Sequence, residues 1–160
     1  MGGIPETEPK RIIYAQTIRR VVDSIFANRP TANIILMGDF NDEPGDSSIK
    51  FYLKTLAPSK NIAPKSLYNL MAPLKEKGAG SIYFDKWQLF DQIIVSSQLL
   101  ANHKTGINLE GGADVFKRAW MLYKNNKTGE MVPNHTYGSK KYFGGPSDHL
   151  PVYIHLQELK

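Results

Sequence analysis

The 160-residue sequence contains no cysteine, which excludes disulfides and thiolate metal sites. That absence does not choose a compartment, because reduced and exported proteins both dispense with cysteine. Long apolar runs are also missing: none approaches the roughly 18 residues that a membrane span requires. Met1-Gly2-Gly3-Ile4-Pro5 carries no apolar signal segment. Acidic side chains are the minority, 15 against 20 lysines and arginines, so the net charge is +5 and the pI about 9.3. Such a balance suits a solvated basic surface, and it equally suits attraction to phosphate-bearing substrates. Charge alone does not separate the two. Length and composition otherwise fit one globular domain.

What the sequence does have is concentrated in Ile34-Ile35-Leu36-Met37-Gly38-Asp39-Phe40-Asn41-Asp42-Glu43-Pro44. Four consecutive apolar residues predict a strand covered on both faces. Gly38 ends the run and permits a turn or a close approach. Asp39 and Asn41 are two apart, so in extended backbone they face the same side. A carboxylate and a carboxamide thus stand together at the C-terminal end of a strand, the edge at which open sheets bind ligands. Pro44-Gly45 closes the loop. Asp42 and Glu43 are expected to face solvent or to cap that loop.

Upstream, Tyr14, Ile18, Val21, Val22 and Ile25 recur at helical spacing, with Arg11, Arg19, Arg20 and Asp23 on the other face. Thr7 or Glu8 caps this helix, Pro9 lies in its first turn, and Asn28-Arg29-Pro30 ends it. Downstream, Asp46 or Ser47 predicts the cap of a second helix running to about Leu56. Residues 58–66 read as a loop. Ser66 to Met71 reads as a helical turn with a buried face. Ser81-Ile82-Tyr83-Phe84 reads as a short strand with both aromatics in the core. Phe90 to Ser96 is a further strand, in which Asp91 interrupts an apolar run and, once buried, needs a partner. Lys117, Arg118 and Trp120 combine charge with a stacking surface, but local packing is the simpler expectation. Asn125 to Gly129 is a hairpin turn, and Val152 to Leu156 a closing strand. His135 reads as a surface residue.

Three motifs carry a resemblance. Gly38-Asp39-Phe40-Asn41-Asp42, Trp87-Gln88-Leu89-Phe90-Asp91-Gln92-Ile93-Ile94-Val95 and Ser147-Asp148-His149-Leu150-Pro151-Val152 occur in the order used by the endonuclease/exonuclease/phosphatase superfamily, which the chain resembles. The resemblance implies a deoxyribonuclease I-like fold: a two-sheet α/β sandwich with mixed, mostly antiparallel sheet and flanking helices. It extends to the C-terminal half of that fold only. In relatives the preceding half supplies a metal-binding Glu, an Asn and a His, and nothing before Asp39 matches them; Glu6 and Glu8 lie in a polar, Pro-flanked leader. The expectation is one partial domain over residues 1–160, a fragment cut just after the middle-strand His motif of relatives, since Gly2-Gly3 resembles the glycine pair that often follows that motif.

The implied chemistry is attack of water on a phosphate ester, dependent on Mg²⁺ or Mn²⁺. Asp39 is then the base that activates water, and Asn41 donates from its amide to a phosphate oxygen or to the nucleophile. His149, as imidazolium, binds a nonbridging oxygen, and Asp91 fixes its ring and favours its charge. Asp148 is the metal carboxylate, a weak site on its own because Mg²⁺ keeps several waters. The expected partners are a phosphate-ester substrate, nucleic acid among the options, and the missing half of the domain. Two rival readings are a noncatalytic basic module that binds nucleic acid and a chain that associates with itself through exposed sheet surface. No lipid-inserting apolar loop is evident.

Overall fold

The computed structural model describes residues 4–101, 104–138 and 140–160. Gly2 and Gly3 lie outside the described residues. The chain opens with helix α1 (Ile4–Asn28), which carries Pro9 within it. The stretch read as a leader is therefore helical, and Glu6 and Glu8 ride its first turns. Ala15, Ile18, Val22, Ile25 and Phe26 form its inward stripe. Tyr14 and Val21 belong to the same apolar periodicity but stay exposed, Tyr14 by 66%. The stripe that packs is narrower than the stripe that is apolar.

Strand β1 (Ile35–Asp39) pairs antiparallel with β6 (Asp91–Ser96), and β6 pairs antiparallel with β3 (Leu67–Asn69). β3 takes β2 (Thr55–Leu56) in parallel on its other side. The resulting four-stranded sheet has the order β1-β6-β3-β2. The strand buried on both faces is thus β6, not β1. β1 lies at the sheet edge, and Met37 is 65% exposed. Its Leu36 packs inward with Ile34, while Ile35 and Met37 point to the opposite face.

Alternation along the strands divides the core in two. Leu67 and Ile94 face α1 with Ile34, Ile49 and Leu53. Tyr68, Ile93 and Val95 face the other way with Leu70, Met71, Leu89 and Leu99. That second face is covered by a ribbon of β7 (Gly106–Val115) and β12 (Val152–Leu159), antiparallel, through Leu109, Val115, Val152 and Ile154. The layers are therefore helix, sheet and ribbon. Helices α2 (Ala72–Glu76) and α3 (Ser97–Leu100) are short connectors. Hairpins β4 (Ile82–Phe84) with β5 (Lys86–Gln88), β8 (Leu122–Lys124) with β9 (Met131–Pro133), and β10 (Tyr137–Gly138) with β11 (Lys141–Tyr142) complete the fold.

Two short segments differ from expectation. Ser48–Tyr52 forms a single π-helical turn, closed by the Leu53 amide donating to the Ser48 carbonyl, and Thr55 has already entered the sheet. Leu67–Asn69 is a buried strand rather than a helical turn. A brief apolar run carries too little periodicity to tell the two apart, and pairing on both sides decides for strand.

Asp42 and Glu43 do not face solvent. Asp42 is 2% exposed. It meets Arg11 Nε at 2.7 Å and accepts from the Ser48 hydroxyl. Glu43 accepts from the Leu89 amide at 3.2 Å and pairs with Lys75. The loop after β1 is thus tied to α1 beneath it and to the approach to β6. Removing one partner of a buried pair strands the other, at a cost of about 3–5 kcal/mol. Asp42→Ala should lose stability on that scale by urea denaturation, and Arg11→Met combined with Asp42→Leu should recover much of it. A loss below about 1 kcal/mol for Asp42→Ala would show that the pair is solvated.

Candidate active site

Cross-strand pairing sets the site. In the β1–β6 register Ile35 lies opposite Val95, Met37 opposite Ile93, and Asp39 opposite Asp91. Paired residues share a face, so Asp39 and Asp91 both emerge on the side covered by the ribbon. β12 belongs to that ribbon, and His149 precedes it by a short turn. Ile82 bridges His149, and the Leu150 amide donates to the Ser81 carbonyl at 2.7 Å. This brings the imidazole onto Asp91: His149 Nδ1 lies 2.7 Å from Asp91 Oδ2. A carboxylate only accepts, so Nδ1 carries the proton and Nε2 is left to face a ligand.

Asp39 is exposed at the end of β1. Its Oδ1 accepts the Asn41 amide at 2.8 Å, and its Oδ2 accepts from Asn41 Nδ2 at 3.3 Å. This Asx turn holds Asn41 at a positive φ of 52°, a conformation Asn tolerates. The Phe40 amide donates to the Phe90 carbonyl at 3.0 Å and extends the pairing past the strand end. Asp148 adjoins His149 in the chain, and its charge reaches the ring.

The three carboxylates around the ring do not act alike on it. Hydrogen bonding to Asp91 raises the pKa of His149 above its ordinary 6.5. Partial burial opposes this, and the charges of Asp91, Asp39 and Asp148 add to the rise. For Asp91, partial burial on its own would raise the pKa. The hydrogen bonds with His149 and Ser81, with the His149 charge, outweigh it and hold the carboxyl below 3.8. Asp39, Asn41, Asp91, Asp148 and His149 are therefore gathered at one end of the sheet.

Two further residues, neither among the candidate site residues, hold this arrangement. Ser81 is fully buried; its hydroxyl accepts the Asp91 amide at 3.3 Å, and its own amide donates to the Gln88 carbonyl at 2.8 Å. Gln92 is fully buried, and its Nε2 donates to the carbonyls of Asp42 and Leu89 at 2.9 and 2.6 Å. Its Oε1 accepts from Asn69 at 2.9 Å. One amide thus sews the loop after β1 to β6 and β3. A polar side chain inside the run Phe90 to Ser96 was the available signal. The loop before His149 is fixed at a neck: the Gly145 amide donates to the His135 carbonyl, and the Ser147 amide to the Asn134 carbonyl. A Cβ on Gly145 would lie 2.0 Å from the Asn134 carbonyl oxygen, so only glycine lets the chain pass.

Metal ligands are sparse. Among the described residues no group of three or more His, Cys, Asp or Glu side chains is gathered to hold an ion. No helix among the described residues is long and apolar enough to cross a membrane.

The arrangement is that of a mixed α/β protein with a carboxylate–imidazole pair and an Asp–Asn turn at the strand ends. Residues 1–158 match the Endonuclease/Exonuclease/phosphatase family, and the chain belongs to it. Its mixed sheet, flanked by helices, is the deoxyribonuclease I-like fold of that family, whose members are in general metal-dependent phosphoesterases and nucleases. No curated protein and no solved structure matches the chain significantly.

The Asp91–His149 pair has a defined pH window. The stabilisation from His149 is full below pH 6.5 and is lost as the pH rises through its elevated pKa. The share from Asp91 is present above pH 3.8 and is lost as the pH falls through its lowered pKa. By NMR, the imidazole of His149 should titrate above 6.5, and Asp91→Asn should bring it down, since burial then acts with less opposition. An unchanged midpoint in Asp91→Asn would show that the two groups are not coupled.

Proposed function

We propose that this site hydrolyses phosphate esters by attack of water, and that Asp39, Asn41, Asp91 and His149 do the work. The observation that carries this is the 2.7 Å approach of His149 Nδ1 to Asp91, on a ring flanked by Asp39 and Asp148. Such a ring stays protonated further toward neutral pH than a free imidazole, and its Nε2–H donates to a nonbridging phosphate oxygen. Asp91 acts through His149 by fixing the tautomer and balancing the charge. Asp39 orients the water and accepts its proton as the new P–O bond forms; the ester P–O bond breaks, and the departing alkoxide takes its proton from solvent. Asn41 steadies Asp39 from its amide and offers its second N–H to phosphate without adding charge.

The cofactor we assign is Mg²⁺, with Mn²⁺ as a substitute, and Asp148 is the carboxylate offered to it. Mg²⁺ takes hard oxygen ligands, retains waters, and when bound neutralises charge on the phosphoryl group. One carboxylate is a weak site. We therefore assign residues 1–160 to one partial domain, the C-terminal part of the family's fold, with most of the metal ligands supplied by further residues. The chain alone should be inactive or nearly so, because members of a catalytic unit lose most of their effect together. Exposed Ile13, Tyr14, Val21 and Met37 supply the apolar surface on which a missing part, or a second copy, would rest.

The test is hydrolysis of bis(p-nitrophenyl) phosphate and of plasmid DNA with Mg²⁺, with Mn²⁺ and with chelator. A slow, metal-dependent rate should fall roughly 10²-fold or more in His149→Ala. Turnover that survives that substitution would refute the assigned role of the ring. Fast metal-dependent turnover by the pure chain would refute the partial-site reading.

A further inference from the structure

The segment after β7 is stapled to the site at both ends. The Phe116 amide donates to the Pro151 carbonyl at 2.7 Å, just beyond His149. At the other end the Met121 carbonyl accepts the Asn134 amide at 2.8 Å, and the Asn134 carbonyl accepts the Ser147 amide just before His149. What lies between is Lys117, Arg118, Ala119 and Trp120, all exposed. Lys117 Nζ sits 4.1 Å from the ring centroid of Trp87, and Arg118 Cζ sits 4.6 Å from that of Phe116. The Trp87 ring is itself braced edge-on by Tyr83, and the Phe116 ring by Tyr153. The salt bridges of the described residues include neither cation. Trp120 presents its ring to solvent, 66% exposed.

Two cations held on aromatic faces, with no carboxylate partner among the described residues, are preorganised for anions. A bare indole beside them adds a stacking surface. The combination fits a polyanion whose charges alternate with flat rings. We propose that Lys117, Arg118 and Trp120 form a platform for single-stranded nucleic acid, holding phosphates and one unstacked base beside the scissile position. The proposal rests on the phosphoesterase reading of the site, and it narrows the substrate to a strand whose bases are free. A duplex keeps its bases stacked on one another and does not offer one to Trp120. An anionic bilayer is the less suited partner, since Lys117, Arg118 and Ala119 give the segment no aliphatic wedge beside the indole.

The experiment is fluorescence anisotropy of a short labelled thymidine oligonucleotide with the 160-residue chain, in chelator, across a salt series. Wild type should bind, with affinity falling steeply as salt rises. Lys117→Gln with Arg118→Gln should weaken binding and flatten the log–log salt slope by about 0.7 for each phosphate no longer neutralised. Trp120→Ala should weaken binding roughly tenfold and leave the slope unchanged. Thermal unfolding by circular dichroism checks that each variant folds. Equal affinity in wild type and both variants would overturn the proposal. So would absent oligonucleotide binding at low salt, or capture of phosphatidylserine vesicles in its place. These readings involve no turnover, and the chromogenic diester assay involves no oligonucleotide, so either idea can fail without the other.

Discussion

Asp39 stands across from Asp91 because β1 and β6 pair in one antiparallel register, Ile35 to Val95 through Asp39 to Asp91. Everything at the site descends from this. A slip of one residue would turn Asp39 to the α1 side and bring Gly38 or Phe40 opposite Asp91. The register is held by apolar side chains far from the chemistry. Ile94 must meet the helix layer and Ile93 and Val95 the ribbon layer, so β6 cannot shift without exposing one core or the other. Gln92 adds a polar lock, because its amide reaches the Asp42 carbonyl only from its place next to Asp91.

The layers then decide which residue completes the pair. The ribbon of β7 and β12 covers the face on which Asp91 emerges, and the turn into β12 delivers His149 there. Ser81 serves both partners, accepting the Asp91 amide through its hydroxyl and the Leu150 amide through its carbonyl. The imidazole is thereby positioned by main-chain bonds as much as by its own bond to the carboxylate. Its elevated pKa follows from geometry that the core enforces.

Asp39 and Asp91 are legible because each ends or interrupts an apolar run, and His149 is legible only through the Ser147 to Val152 motif that carries the resemblance. Their meeting at one sheet end follows from strand order, and the resemblance expressed that order. Burial was harder to read. The apolar run at Ile34 to Met37 predicts an interior strand, but exposure depends on neighbours, and among the described residues β1 has a strand on one side only. Tyr14 and Val21 misled in the same way on α1, and Phe84, read as core, is 57% exposed at the tip of its hairpin. Asp42 erred in the opposite direction: its partner Arg11 is contributed by a helix that precedes the strand, and no local pattern announces such a pair. Leu67–Asn69 shows the limit of period counting when a strand is only three residues long.

The neck at Asn134 and Gly145 separates the hairpin beyond it from the approach to His149. Between these points the chain makes an excursion through Tyr137–Gly138 and Lys141–Tyr142, which pair with each other. The Thr136 hydroxyl donates to the Gly145 carbonyl at 2.9 Å and seals the base. Insertions, deletions or a grafted loop placed beyond that seal would leave the approach to His149 unmoved. The same neck that forbids a methyl group at one position thus makes its neighbour a place where new specificity is cheaply acquired.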